Sequence, residues 1–296
     1  MRRIWIVTVL LSFTLAAGCR QRSAGEDRSA ADTTAQTGAP AAEAAADPGP
    51  QVVTVVATEY AFAPQEPIPA GVTQVRLEDR GRQPHHMELY RLADGKTVAD
   101  LRAELESPRP MPGWVIGVGG PGAVGPGETV DATMLLEPGS YAYVCYAPDS
   151  AGVPHLKRGM LQAVEIASGP ARATAEPAAD LTLTLGEYGF TFSEPPTAGR
   201  HTIRVENPGA QMHQAFLYRL DPGRTLDEFV RWTDAGETGP APGRWASGLS
   251  ALSPGLHAYF TTTFEPGEYV VICYVGDTAD GRPHYLHGMV QQFTVR

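Results

Sequence analysis

The sequence predicts an all-β chain built from two tandem Greek-key β-sandwiches, each interrupted by one short helix. Three observations support this fold class. The 296 residues include 32 Gly and 26 Pro, which favours many turns. Short apolar or alternating segments recur between those turns, as strands do. The second half of the chain also repeats the first in outline, and each copy has about the size of one small sandwich.

An internal repeat defines the two copies. His85 recurs as His213 and Cys145 recurs as Cys273, and both offsets are 128 residues. After the cysteine the offset becomes 129, because the second copy has one additional residue before its next histidine. Other motifs recur at the same offsets: Tyr60 as Tyr188, Gly81 as Gly209, Tyr90 as Tyr218, Pro138 as Pro266 and Met160 as Met289. Colinear matches of this kind indicate duplication.

The repeats place the domains at 51–167 and 180–296, joined by an Ala/Pro-rich linker at 168–179. Each copy alternates β-branched and apolar segments with Pro-Gly turns, which predicts strands. The predicted strands are 51–58, 73–77, 87–90, 141–145 and 161–166 in the first copy and 181–185, 202–205, 215–218, 269–273 and 290–295 in the second. Helices are predicted at 98–106 and 226–233, with Thr97 and Thr225 as N-caps.

The first 50 residues have the pattern of an exported lipoprotein. Two arginines precede an apolar run that is short for a membrane span, which is typical of a signal peptide over 1–18. The end of that run, Leu15-Ala16-Ala17-Gly18-Cys19, resembles the bacterial lipobox, and this resemblance implies cleavage before Cys19 and lipidation of its thiol. An ordinary signal peptide with an incidental cysteine is the alternative. Residues 19–50 contain few large apolar side chains, which predicts a disordered tether.

Each copy contains one His, one Cys, a second His and one Met in the same order. One thiolate and two imidazoles with a distant thioether form the blue-copper arrangement, so the sequence predicts one type 1 copper site in each domain. The predicted metal ligands are His85, Cys145, His155 and Met160 in the first copy and His213, Cys273, His284 and Met289 in the second. In the second copy His287 is an alternative to His284, and we favour His284 because Pro283 precedes it as Pro154 precedes His155.

The segment from Cys145 to Met160 resembles the ligand loop of type 1 copper sites in the cupredoxin family, in particular that of copper nitrite reductases. Plastocyanin-like proteins share the spacing from His to Met and have a shorter loop from Cys to His. The resemblance implies two cupredoxin-like domains, two bound coppers and electron transfer. The chain departs from the enzymes of this family at one point: Val144 and Tyr146 flank Cys145, where those enzymes have a His that ligates a second copper centre.

These features predict a lipid-anchored electron carrier of a bacterial cell envelope, on its periplasmic or extracellular face. The expected partners are the membrane, through Cys19, and a redox protein. The net charge of −10 and the absence of a basic stripe argue against a nucleic-acid partner. Four alternatives stay open: copper storage, delivery or sensing without redox function; a metal-free interaction module; an oligomeric reductase with copper between subunits; and zinc in place of copper. A Cys145–Cys273 disulfide is a further, less favoured alternative.

Overall fold

The computed structural model describes residues 49–64, 67–106, 110–168 and 175–296. The predicted signal peptide, Cys19 and the predicted tether up to residue 48 lie outside this range, and so do residues 169–174 of the predicted linker. The all-β fold class is confirmed, because strands dominate and the described part of the chain contains two α-helices. Neither helix is long and apolar enough to cross a membrane.

The first repeat contains eight strands and one helix. They are β1 (Gln51–Thr58), β2 (Ala61–Pro64), β3 (Gly71–Asp79), β4 (Glu88–Leu92), α1 (Val98–Leu105), β5 (Val115–Gly117), β6 (Thr129–Leu136), β7 (Gly139–Val144) and β8 (Leu161–Ile166). The second repeat has the same order: β9 (Leu181–Gly186), β10 (Gly189–Phe192), β11 (Gly199–Glu206), β12 (His213–Leu220), α2 (Leu226–Asp234), β13 (Gly243–Leu252), β14 (His257–Phe264), β15 (Gly267–Ile272) and β16 (Val290–Val295).

Each repeat places four of its strands in a small sheet of its own. The order is β5-β4-β7-β8 in the first repeat and β13-β12-β15-β16 in the second. The remaining strands of both repeats form one eight-stranded sheet, β10-β9-β11-β14-β6-β3-β1-β2, in which β14 pairs with β6. This pairing covers two strand edges that would otherwise expose unpaired N–H and C=O groups. The two sandwiches are therefore continuous through one sheet, and the domain boundaries read from the sequence stay a prediction.

The alternation of the strands explains how each sandwich closes. In β9 the apolar residues Leu181, Leu183 and Leu185 are buried, while the threonines between them are partly exposed. One face of the sheet therefore packs on the core and the other faces solvent. Both helices begin as predicted, because Thr97 and Thr225 each accept a hydrogen bond from the backbone of the third helical residue in a complete capping box.

Glu237 lies just after α2 in an unusual conformation. Its φ of +58° is in the left-handed region that non-glycine residues seldom adopt. The carboxyl group faces the Tyr274 hydroxyl, and burial raises its pKa to about 7. The other titratable groups that face it are Tyr218, Tyr285 and His86.

Replacing Glu237 with Gln will change how stability depends on pH. The folded protein holds the Glu237 proton up to about pH 7, whereas the unfolded chain releases it near its ordinary pKa of 4.5. Stability from this group is therefore present at low pH and is lost as pH rises through 4.5 to 7. From pH 5 to pH 8 we expect the variant to gain about 2 kcal/mol of unfolding free energy relative to the native chain. Urea denaturation at both pH values measures this, and equal differences at the two would contradict it.

Candidate metal centres

In the first repeat His85, Cys145 and His155 converge on one point. The Nδ1 atoms of the two histidines are 3.2 Å apart, and the Cys145 Sγ atom lies 3.6 Å from Nδ1 of His155 and 3.9 Å from Nδ1 of His85. All three side chains are fully buried. Two imidazole nitrogens and one thiol sulfur therefore form a small closed triangle.

The second repeat forms the same triangle from His213, Cys273 and His284. The two Nδ1 atoms are 3.0 Å apart, and the Cys273 Sγ atom lies 3.5 Å from Nδ1 of His284. The three ligand atoms lie within 4.8 Å of one another and their side chains are fully buried. The structure thus brings together the His–Cys–His set predicted for each copy.

The size of the triangles suits a metal ion at the centre. With metal–nitrogen distances of about 2.0 Å and metal–sulfur distances of about 2.3 Å, donors spaced evenly in a plane lie about 3.5 Å (N to N) and 3.7 Å (N to S) apart. The observed separations of 3.0 to 3.9 Å bracket these values. A His₂Cys donor set in a trigonal arrangement is the type 1 copper pattern. Both buried groups fit type 1 copper sites.

The ligand loop is held by its own backbone. Cys145 follows directly after β7, and its N–H donates to the carbonyl of Met160 at 3.2 Å. His155 begins a 3-10 turn, donates its N–H to Ala147 and accepts a hydrogen bond from the Met160 N–H at 3.0 Å. Gly159 ends the turn with a φ of +105°, a conformation that glycine adopts without steric cost. Cys, His and Met are therefore fixed by one short, closed segment.

The second loop has the same hydrogen bonds in spite of its extra residue. Cys273 donates to the carbonyl of Met289 and His284 accepts from its N–H. The insertion falls in the turn between Asp277 and Arg282, whose backbone bond matches that from Asp149 to Val153. Because the additional residue is absorbed at the tip of the turn, the ligand positions are unaffected.

The two thioethers are buried next to these groups. Met160 is 1% exposed and Met289 is fully buried, and each is joined to the ligand cysteine by a backbone hydrogen bond. Their assignment as axial ligands stays a prediction. His287 lies outside the second triangle, with its Nε2 atom 3.2 Å from Asp280 and its ring against Tyr188. The preference for His284 over His287 therefore agrees with the geometry.

The outer ring nitrogens of the histidines face oxygen atoms. Nε2 of His155 lies 2.8 Å from Oε1 of Gln83, which makes it the protonated nitrogen and leaves the Nδ1 lone pair for a metal. The other three contacts are longer: His85 to Asp79 at 3.9 Å, His213 to Glu187 at 3.7 Å and His284 to Asp277 at 3.8 Å. The sequence analysis did not identify the residues that face these outer ring nitrogens.

Replacing Gln83 with Leu will weaken copper binding at the first site. The variant loses the hydrogen bond that orients His155, and the loss of such partners typically costs about 10-fold to 100-fold in metal affinity. The equivalent Gln211→Leu serves as the control, because Gln211 contacts Asp277 and Tyr188 rather than His284. Competition titration with a copper chelator measures both sites. An equal effect of the two substitutions on their own sites would contradict this assignment.

Two tyrosines border the triangles at equivalent positions. The Tyr60 ring meets His155 edge-on at 5.1 Å, and the Tyr188 ring meets His284 at 5.5 Å. Both tyrosines have positive φ values, +69° and +60°. Strained backbone of this kind is retained where the surroundings require it. Their recurrence at the repeat offset was visible in the sequence and is the signal that could have identified them.

The environments of the two thiols differ because His86 and Gln214 occupy equivalent positions. Burial opposes ionisation of both thiols. At Cys273 burial dominates and raises the pKa to about 12. At Cys145 contact with the imidazoles of His86, His155 and His85 outweighs burial and lowers its pKa well below the ordinary value. His86 itself is buried and accepts a hydrogen bond from the Tyr146 N–H. The two sites are therefore not electrostatically equivalent.

Aromatic rings connect the surroundings of the two triangles. The His86 ring lies 6.1 Å from that of Tyr146 and 4.9 Å from that of Phe216, and Phe216 lies 6.3 Å from Tyr274. Tyr146 and Tyr274 directly follow the two ligand cysteines. A chain of four rings thus leads from one site to the other.

A third group of possible metal ligands combines a buried, an exposed and a half-buried side chain. It consists of Asp277, Asp280 and His287. The Asp277 carboxylate already accepts hydrogen bonds from Tyr188, Gln211 and the backbone, so it is occupied in holding the loop. We assign no ion to this group.

Neither a protein-family model nor a curated protein matches the sequence. Similar solved structures include an auracyanin from Roseiflexus castenholzii, with 21% identity, 40% of this chain and 99% of that chain covered, and a TM-score of 0.27. A copper nitrite reductase from Nitrosomonas europaea has 14% identity, 83% and 92% coverage and a TM-score of 0.22. A copper-containing nitrite reductase from Thermus scotoductus has 13% identity, 83% and 61% coverage and a TM-score of 0.22. At these scores, the assignment of the two groups rests on their geometry.

Proposed function

We propose that this chain is an exported, lipid-anchored blue-copper protein that carries electrons at two type 1 sites. The observation that supports this most strongly is the pair of buried His₂Cys triangles, one in each repeat and both of a size for one metal ion. Bound copper would supply one-electron chemistry by cycling between Cu(I) and Cu(II). The residues that would hold each copper are those predicted from the sequence, including Met160 and Met289.

The protein holds the donor atoms in fixed positions and shields them from water. All eight proposed ligand side chains are at most 1% exposed, so water has little access to the metal position. The closed ligand loop and the first His are fixed by backbone hydrogen bonds: His85 exchanges two with Val124. A site that is formed by the fold before metal arrives needs little rearrangement when the charge of the metal changes.

The surroundings of the cysteines favour a carrier over an enzyme. The residues next to Cys145 are Val144 and Tyr146, and those next to Cys273 are Ile272 and Tyr274, so neither has an adjacent His to connect a second copper centre. The third group of candidate ligands in the described residues contains a single His, and the Asp277 carboxylate within it is already hydrogen-bonded. The aromatic chain between the triangles favours electron exchange between the sites within one molecule.

Protein-film voltammetry of the copper-loaded full chain, combined with turnover assays, tests this proposal. We expect two reversible one-electron couples per chain and no product from nitrite or dioxygen above background. Catalytic turnover of nitrite or dioxygen would show that the protein is a reductase or an oxidase and not an electron carrier. Tight copper binding without a reversible couple would instead indicate storage or delivery.

The lipid anchor and the location are part of the same proposal. Their support is the sequence from Met1 to Cys19, which resembles a lipoprotein signal. Several acyl chains on Cys19 would hold the chain firmly to a membrane in the cell envelope. The acidic net charge of −10 favours docking to a basic redox partner. Cys19→Ser should move the protein from the membrane fraction to the soluble fraction, and unchanged membrane association would contradict the anchor.

A further inference from the structure

A cavity of about 400 Å³ lies between the two repeats. The first repeat contributes His86, Glu88 and Tyr146 to its wall, and the second contributes Phe216, Trp245, Tyr274 and Glu237. Its rim includes the exposed residues Pro110 and Asp280, through which a molecule can enter. This volume is within the range of about 300 to 1,000 Å³ that is typical of small-molecule sites.

Apart from its tyrosines, the titratable groups of the cavity are three carboxylic acids and two histidines, His85 and His86. Glu88, Glu237 and Asp280 line it, and its described wall contains no Lys or Arg. Glu88 is only 1% exposed and accepts one hydrogen bond, from the Ala251 N–H at 2.5 Å. Its other oxygen is 3.6 Å from Nδ1 of His86, too far for a good hydrogen bond. The Glu88 carboxylate therefore has unused capacity to accept hydrogen bonds.

Further observations point to a bound molecule. His86 is 4% exposed, and its Nδ1 atom has no hydrogen-bond partner although the ring lines the cavity. Glu237 adopts its left-handed backbone conformation directly after Gly236, whose φ is also positive, and Glu237 lines the cavity. Strain of this kind clusters at ligand-binding positions.

The side of the cavity formed by the second repeat is rich in aromatic rings. The rings of Phe216, Trp245 and Tyr274 lie 6.0 to 6.3 Å apart and are inclined to one another by 50° to 79°. Aromatic faces attract organic cations through their ring quadrupole, most strongly where water is excluded. Carboxylates beside a cluster of aromatic rings are the chemistry that recognises an ammonium group on an apolar body.

We propose that the cavity between the repeats binds a small organic cation, an amine or quaternary ammonium compound with an apolar body. Glu88 and Glu237 accept hydrogen bonds from the ammonium group or balance its charge, and Phe216, Trp245 and Tyr274 pack on the rest of the molecule. The cavity adjoins the first metal centre, because His85 contributes to its wall. None of the groups proposed to contact the cation is a proposed metal ligand, so the site adds a binding function to the proposed electron carrier.

Isothermal titration calorimetry of the full chain with 2-phenylethylammonium at about pH 8, where the Glu237 carboxyl is ionised, tests the proposal. 2-Phenylethanol is the neutral control and 3-phenylpropionate the anionic one. We expect one saturable ammonium site per chain, at least tenfold weaker binding of the alcohol and no binding of the acid. Glu237→Gln should weaken ammonium binding at least tenfold, because hydrogen bonds to charged groups are the stronger ones. Glu194→Gln, at an exposed position outside the cavity, should leave it unchanged.

Several results would overturn the proposal. Equal affinity for the alcohol and the ammonium compound would show an apolar pocket without preference for cations, and no saturable binding would show no ligand site of this class. If Glu237→Gln and Glu194→Gln changed the ammonium affinity equally, the ligand would bind outside the cavity. Glu237→Asp, which keeps the charge, should retain part of the affinity, and thermal unfolding of each variant shows whether it is folded. Repeating the titration on chelator-treated protein distinguishes this site from the metal centres.

Discussion

Replacing Cys145 with Ser will remove one bound copper and one thiolate-to-copper charge-transfer band, and will leave the band of the second site intact. Cys273→Ser will do the reverse, and the double variant will be colourless. The reason is that each triangle contains a single sulfur donor, and a serine hydroxyl does not replace a thiolate as a soft ligand. Visible absorption with metal analysis of each variant measures the loss.

The chain provides its own control for this experiment, because Cys19 is the third cysteine and belongs to neither triangle. Cys19→Ser should keep both bands at full intensity. The two single-site bands should also differ in energy, because His86 stands beside the first thiol where the second has Gln214. Persistence of two intense bands in either Cys145→Ser or Cys273→Ser would contradict the assignment of one copper to each repeat.

Replacing His284 with Ala will weaken copper binding at the second site by more than about 100-fold, since one of the three donors of the triangle is lost. His287→Ala, only three residues away, should change that affinity by less than about threefold, because its ring contacts Asp280 and Tyr188 rather than the triangle. The first site is unchanged in both variants and serves as an internal reference. Copper competition titration gives both affinities in one experiment.

The comparison of these two histidines is informative because both are close in sequence to Met289. If His287→Ala abolished the second site and His284→Ala spared it, the ligand assignment would be wrong, and the loop would have to rearrange on metal binding. Loss of both sites in either variant would indicate unfolding, which circular dichroism of the same samples detects.

The features that the sequence predicts well are local and repeated. The loop from Cys145 to Met160 fixes three proposed ligands within one segment, so their convergence needs little tertiary information. Strands β1, β8 and β16 agree with their predicted bounds, and both helices begin after their predicted N-caps. Duplication supports each of these predictions twice.

Other features depend on contacts between distant segments and could not be predicted. Strands β6 and β14 received no prediction, and their pairing joins the two sandwiches. The Gly/Pro-rich segment 113–127 of the first repeat contains Val118 and Pro121. These residues form isolated β-bridges to Leu252 and Leu249 of β13. Since these contacts depend on how two copies pack, they leave no pattern within one copy.

The contacts of the outer ring nitrogens of the ligand histidines could not be predicted from the sequence either. Gln83 and Gln211 are equivalent in sequence, yet only Gln83 contacts a ligand histidine. In the first repeat Arg158 pairs with Asp149, which leaves Gln83 to face His155. In the second repeat His287 replaces that arginine, and Asp277 instead accepts a hydrogen bond from Gln211. The exchange of Arg158 for His287 thus accompanies a change in the partner of the equivalent glutamine. The spacing of residues in the sequence does not reveal this change.

Titration of the full chain with Cu(II), followed by visible absorption and metal analysis, tests the central claim most directly. If both triangles bind copper as type 1 sites, an intense thiolate-to-copper charge-transfer band will grow and saturate at two coppers per chain. A colourless protein, or one that binds copper without this band, would contradict the claim and leave the two sandwiches as a metal-free or differently metallated module.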